Sequence, residues 1–190
     1  MLMPDSERRF LFLLASTRRL GNSEQLAYCA AHPLPAHTAI RWLHLSDYLL
    51  PEFVDMRHSG GYQLPTGNAQ LLLEATLEAT DVVLAAPLYL YGLPAAAKQY
   101  LDYWNGWLRT PDLAFGEQMR GKTLWAIVVS SGQRAETLPL EAALQLTARH
   151  MAMHWGGLLY GTGSRPNDIQ QDDAALKQAQ TFFQLVKPPK

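Results

Sequence analysis

Short, uninterrupted apolar runs alternate along this chain with segments that carry helix signals. Phe10–Ala15, Asp81–Ala86 and Thr123–Ser131 hold no charge apart from the opening Asp81 and show no polar second face. A strand that is apolar on both sides has to be covered on both sides, as in a parallel sheet lying between two helical layers. His37–Leu45 and Trp155–Tyr160 are predicted as two further strands, the first with Ile40, Trp42 and His44 on one face. Helices fill the intervals. Asn22 or Ser23 caps one running to Ala31, Asn68 caps one through Ala79, and Pro94 opens one continuing to Trp107. Glu136–Met153 carries Pro139 in its first turn, and Asp172–Val186 closes the chain as an amphipathic helix. Leu45–Gly67 and Arg109–Gly121 are left as loops. The alternation predicts one α/β domain over residues 1–190 with a doubly wound five-stranded parallel sheet, order 2-1-3-4-5, and helices on both faces.

Charge narrows the function. Sixteen basic and 17 acidic residues leave a net charge of −1, which offers no concentrated positive surface for nucleic acid. Cys29 is the single cysteine, so neither an internal disulfide nor a four-sulfur metal site is available. Cys29 is expected to pack in the first helix, and a cytoplasmic location is expected. Arg8 and Arg9 before Phe10–Ala15 mimic a signal peptide, but the run is short of the usual roughly 7–15 residues and Arg18 and Arg19 follow at once. Val82–Ala97 is broken by Pro87, Gly92 and Pro94 and falls short of the ~20 residues of a membrane span, so no membrane partner is expected.

In a doubly wound sheet, ligands bind beyond the carboxyl ends of the strands near the switch in strand order. After the first strand comes Ser16-Thr17-Arg18-Arg19-Leu20-Gly21-Asn22-Ser23, rich in hydroxyls and leading into a helix N-terminus. Free N–H groups, the helix dipole and Arg18 make that segment an anion site by chemistry, although an N-cap with surface arginines would read the same way. It lacks the Walker A pattern and the dinucleotide fingerprint. After the third strand comes Pro87-Leu88-Tyr89-Leu90-Tyr91-Gly92, where flat rings suit a planar heterocycle or simply pack on the next helix. After the fourth comes Ser130-Ser131-Gly132-Gln133-Arg134, a weak signal alone.

Taken together, Ser16-x-Arg18-x-x-Gly21-Asn22-Ser23 and Ala86-Pro87-Leu88-Tyr89-Leu90-Tyr91-Gly92-Leu93-Pro94, followed by Lys98 and Asp102, resemble the two flavin loops of NADPH-dependent FMN reductases and related flavodoxin-like NAD(P)H:quinone oxidoreductases. The resemblance runs through nearly the whole chain in order. It implies a flavodoxin-like fold, FMN as cofactor and NADPH or NADH as electron donor. It implies that Ser16, Thr17, Arg18, Asn22 and Ser23 hold the FMN phosphate, that Pro87, Leu88, Tyr89, Leu90 and Tyr91 line the ring largely through main-chain groups, and that Ser131 and Gly132 approach its pyrimidine side. It implies a homodimer or homotetramer, with Lys98 and Asp102 supporting packing. Ala15, Leu90 and Gln133 depart from the common pattern, which has glycine at the first and third positions and Trp or Asn at the second.

The activity expected is two-electron reduction of a small-molecule acceptor such as a quinone, azo compound, free flavin or metal oxyanion, in ping-pong order after NAD(P)H. No side chain is assigned as a catalytic acid or base. Arg18, Arg19 and Arg134 are possible partners for a 2′-phosphate. The alternatives are a flavodoxin-type electron carrier, which a near-neutral charge disfavours, and a flavin-free binding or regulatory protein on the same fold. No metal site is expected: His150 and His154, four apart on the predicted helix, lack the glutamate of a zincin motif. His58 is read as a loop residue within reach of a substrate or simply solvated. Trp104 and Trp107, near Tyr100 and Tyr103, are read as a dimer surface bordering the flavin, in preference to core packing.

Overall fold

The computed structural model describes residues 8–184. Five strands, β1 (Arg9–Leu14), β2 (Ala39–His44), β3 (Asp81–Pro87), β4 (Thr123–Ser130) and β5 (His154–Thr162), form one parallel sheet of order β2-β1-β3-β4-β5. The helices between and after them are α1 (Asn22–Ala31), α2 (Gly67–Glu78), α3 (Ala95–Trp107), α4 (Phe115–Met119), α5 (Leu138–His150) and α6 (Asp173–Ala179).

Side chains alternate across the pleat, so each central strand feeds two cores. Phe10, Phe12 and Leu14 of β1, with Val83, Ala85, Trp125 and Ile127, pack under α1 and α6. Leu11, Leu13, Val82, Leu84, Leu124 and Ala126 pack under α2, α3 and α5. The apolar runs are continuous because both faces are buried. β2 and β5, at the sheet edges, are only partly covered. Ile40 and Trp42 join the α1 face as expected, with Trp42 stacked on Phe12 at 4.0 Å, and Cys29 packs there too.

Four expectations are corrected. Trp104 and Trp107 are not a surface: each is 2% exposed, and both meet Phe115 edge-on. The cause is α4, which lies in the segment read as a loop and lays Phe115 and Met119 over that face. His150 and His154 do not share a helix, because α5 stops at His150 and His154 opens β5. The last helix also ends early, at Ala179. A 3₁₀ turn over Phe182–Gln184 follows, and both Phe182 and Phe183 are buried against the Trp125 ring. The expected stretch beyond Gln184 to Val186 lies outside the described residues.

The long Leu45–Gly67 segment has no regular element but is fastened to α3. Tyr103 Oη and Gln99 Nε2 donate to Pro51 O at 3.0 and 2.7 Å, and Tyr62 packs on Gly106. At the amino-terminal edge, buried Asp81 accepts from Arg8 (2.6 Å) and from Trp125 Nε1 (2.9 Å). No described helix is long and apolar enough to cross a membrane.

The register of β4 and β5 slips between Leu124/Trp155 and Trp125/Gly157, leaving Gly156 as the extra residue of a bulge. A Cβ at Gly156 would stand 2.3 Å from the fully buried Trp125 ring. Gly156→Ala is therefore expected to destabilise the fold by about 1–3 kcal/mol, read from the urea midpoint at unchanged slope.

Candidate functional site

Strand order places the three candidate loops side by side. β1 pairs with β3 up to Leu14↔Ala85, and β3 pairs with β4 up to Pro87↔Val129, so the segments that leave them start from one carboxyl edge. The chain turns to opposite sides of β1 for β2 and β3, which opens the crevice between the first two loops.

The first loop wraps the N-terminus of α1. No side chain caps that helix, and Gly21 in extended conformation occupies the cap position. The N–H groups of its first turn therefore point outward without an intrahelical partner, at the positive end of the dipole. Ser16 and Ser23 are buried beside it, and Ser16 Oγ accepts from Arg18 N at 3.1 Å. A Cβ on Gly21 would lie 3.1 Å from Arg18 O and 3.2 Å from Ser16 Oγ, so the turn is tight. Thr17 and Arg18 are exposed, and the Arg18 guanidinium makes one long contact, 3.4 Å to Ser164 O. Leu20 sits at φ +51°, a left-handed conformation that costs a leucine about 1–2 kcal/mol. Uncapped N–H groups, hydroxyls and a guanidinium around one tight turn fit a phosphate monoester.

Asn22 is used differently. Its Nδ2 donates to Arg165 O at 2.9 Å, which ties α1 to the segment after β5. That segment is itself clamped by Asp168, whose carboxylate accepts from Ser164 N (3.0 Å) and Arg165 N (2.7 Å); these bonds hold its pKa below the usual carboxylate range. Arg19 is ion-paired with Asp47, and Arg134 pairs with Glu141 and Thr137, so of the three arginines suited to a 2′-phosphate only Arg18 has no carboxylate partner among the described residues.

The second loop is strained at its tip. Leu88 N donates to Val129 O, and Tyr89 and Gly92 exchange N–H···O bonds of 3.0 Å each. Between them Leu90 and Tyr91 take φ +46° and +63°. Two successive left-handed residues close a tight two-residue turn, a conformation favoured by Asn and Gly and costly for Leu and Tyr. Leu90 is 96% exposed, and Tyr89 and Tyr91 are also exposed. Asn would tolerate this geometry at position 90 better than Leu.

The third loop is shaped from β5. Tyr160 Oη donates to Gly132 O at 2.6 Å and lies 3.2 Å from Ser130 Oγ, which accepts from Gly132 N. A Cβ on Gly132 would fall 1.9 Å from Glu136 Oε2, so a larger residue there requires the exposed Glu136 side chain to turn away. Ser131 is exposed at the tip. His58 lies exposed in the long loop. Among the described residues no group of three or more His, Cys, Asp or Glu could hold a metal ion.

Sequence reasoning missed two contributors. Tyr160 ends the predicted fifth strand, and its position at a carboxyl end beside β4 was the available signal. Glu24, buried in the first turn of α1, carries only the weak signal of an acidic residue near a helix start.

Residues 8–161 match the family described as NADPH-dependent FMN reductase. YwqN of Bacillus subtilis (strain 168), whose name assigns it as an NAD(P)H-dependent FMN-containing oxidoreductase, is 30% identical over 166 residues, 86% of this chain and 90% of that protein. The iron–sulfur flavoprotein MJ1083 of Methanocaldococcus jannaschii is 26% identical over 125 residues, 60% of this chain and 61% of its own; the single Cys29 cannot supply such a cluster. Among solved structures, the Trp repressor binding protein of Bacillus subtilis aligns with a TM-score of 0.75 at 25% identity over 94% of this chain and 100% of that one. An FMN-dependent NADH-azoreductase of Bacillus anthracis, in complex with FMN, shares the fold with a TM-score of 0.67 at 13% identity over 95% and 100%.

Tyr160→Phe leaves Gly132 O without its donor and removes the hydroxyl that Ser130 Oγ contacts. It is expected to weaken FMN binding by roughly tenfold, the effect of one hydrogen bond of about 1.4 kcal/mol, measured by flavin fluorescence titration.

Proposed function

The chain belongs to the family of NADPH-dependent FMN reductases, and from that premise we propose that it passes two electrons from NAD(P)H, at an FMN held across the β1, β3 and β4 loops, to a small planar acceptor of the quinone or azo class. The observation that carries this reading is the uncapped α1 N-terminus set across the switch in strand order from the Tyr89–Tyr91 tip. When bound, FMN supplies the hydride-accepting and electron-releasing chemistry.

The chain's own groups bind and orient. The α1 N–H groups, the hydroxyls of Ser16, Thr17 and Ser23, and Arg18 hold the phosphate; Asn22 adds its main-chain N–H while its side chain braces the β5 loop. The main chain of Pro87, Leu88 and Tyr89 lines one ring edge. Ser131 N–H and Gly132 meet the pyrimidine side in a geometry set by Tyr160. Leu90, Tyr91 and Tyr89 form an exposed apolar rim that suits a flat, weakly polar acceptor. No side chain is assigned as acid or base, so protons exchange with solvent.

We read the working unit as a homodimer. An apolar groove of about 690 Å3 between α3 and α5, lined by Leu101, Leu108, Leu140 and Leu144, runs up to Tyr91 and Gly92. A second copy seated there would border the tip of the β3 loop.

The test is an absorbance titration with FMN followed by anaerobic NADPH or NADH. A bound flavin band that bleaches with either nucleotide, and parallel double-reciprocal lines when a quinone or azo dye is varied against nucleotide, are expected. Bound flavin that neither nucleotide bleaches would favour an electron carrier, and intersecting lines would overturn the ping-pong order. Arg18→Ala is expected to weaken FMN binding by roughly tenfold or more while leaving riboflavin, which lacks the phosphate, unaffected.

A further inference from the structure

We infer that Glu24 is a positioning residue for the phosphate-binding turn, and that it acts by hydrogen bonding and not by its charge. The inference rests on the reading of Ser16–Ser23 as that turn.

Glu24 is 3% exposed and lies in the first turn of α1. Its carboxylate gathers three elements. Oε2 accepts from Leu20 N at 2.6 Å, inside the loop. Oε1 accepts from Tyr28 Oη at 3.1 Å, one turn further along α1. Oε1 also stands 3.1 Å from His44 Nε2, at the carboxyl end of β2. Burial, with the Glu24 bond second, raises the Tyr28 pKa, so the phenol remains a donor at neutral pH. A carboxylate only accepts, so His44 carries its proton on Nε2, and its Nδ1 is buried without a partner.

Leu20 is the residue this arrangement holds. It is in the left-handed region with its side chain two-thirds exposed, so neither its own preference nor burial keeps it there. Its N–H is held by Glu24 and its carbonyl by Gln25 Nε2 at 2.7 Å. Releasing Leu20 frees the chain between Ser16 and Gly21, and with it the direction of the loop N–H groups.

Charge alone would work the other way. A buried carboxylate beside the α1 N-terminus repels a phosphate, so Glu24 helps an anion bind only by fixing the donors that face it. Glutamine can reproduce those bonds. Its Oε1 accepts from Leu20 N, while its Nε2 donates to the Tyr28 hydroxyl and to His44 Nε2, whose proton moves to Nδ1. Nδ1 has no partner in either tautomer, so the exchange trades one unpaired acceptor for one unpaired donor. Aspartate keeps the charge but is one methylene too short to reach Leu20, Tyr28 and His44 together.

The experiment compares dissociation constants for FMN and riboflavin, by flavin fluorescence, in wild type, Glu24→Asp and Glu24→Gln, with circular dichroism confirming the fold. The preference for FMN over riboflavin is expected to fall roughly tenfold in E24D and to stay within about threefold of wild type in E24Q. Retention of the preference in E24D, or its loss in E24Q, would overturn the inference. Wild type with no preference for FMN would overturn the phosphate-loop reading itself. Amide exchange in wild-type apoprotein gives an independent check that needs no variant: Leu20 N–H is expected to exchange more slowly than those of Thr17 and Arg19, and equal rates would count against Glu24.

Discussion

Each N–H and C=O of β1, β3 and β4 lies between two helical layers, where an unpaired backbone group is costly, so each must be matched by a neighbouring strand. In a parallel sheet that matching forces the chain back across the sheet after every strand, through α1, α2, α3 and α5. Every strand then ends at the same edge. The site is a by-product of this pairing: β1, β3 and β4 deliver three loops to one rim, and the change of direction about β1 separates the first two enough to admit a ligand.

The two rims of the sheet are built differently. The amino-terminal rim is closed by polar bonds: Arg8 and Trp125 on Asp81, and Lys122 Nζ on the carbonyls of Leu77 and Ala79 that end α2. Burial, with Arg9 nearby, pushes the Lys122 pKa down to about 8, which shows how far the ammonium is drawn out of water to serve those carbonyls. The carboxyl rim holds the uncapped start of α1 and the left-handed Leu20, Leu90 and Tyr91. Polar bonding thus supplies cohesion at the amino-terminal rim, while the strained Leu90–Tyr91 turn lies at the rim that carries the candidate loops.

The sequence was most legible where a pattern is local. The continuous apolar runs of β1, β3 and β4 follow from burial on both faces, and the five-strand alternation carried the order 2-1-3-4-5. The edge strands were found with shifted ends, because β2 and β5 have one side half open. α4 was illegible: five residues, entered through a left-handed Ala114, show no periodicity. Missing it also inverted the reading of Trp104 and Trp107, whose cover is Phe115. At the site, the loops could be located from strand ends, but the commitments of single side chains could not. Asn22 bonds to Arg165, Glu24 to His44, and Tyr160 to Gly132; each link joins residues far apart in the chain, and such partners are invisible until the strands are in register.

The Leu90–Tyr91 tip bears on how such an enzyme changes its diet. The turn is closed by main-chain bonds between Tyr89 and Gly92, so its shape does not depend on what the two tip side chains touch. Those side chains reach into solvent, while the groups suited to a phosphate sit across the crevice on α1. In the proposed arrangement the main chain of the β3 loop serves the flavin, while the two tip side chains are left to face an acceptor. On that reading, mutation of the tip side chains can explore new acceptors while the main-chain turn is kept, and replacements that relax the left-handed backbone bring added stability.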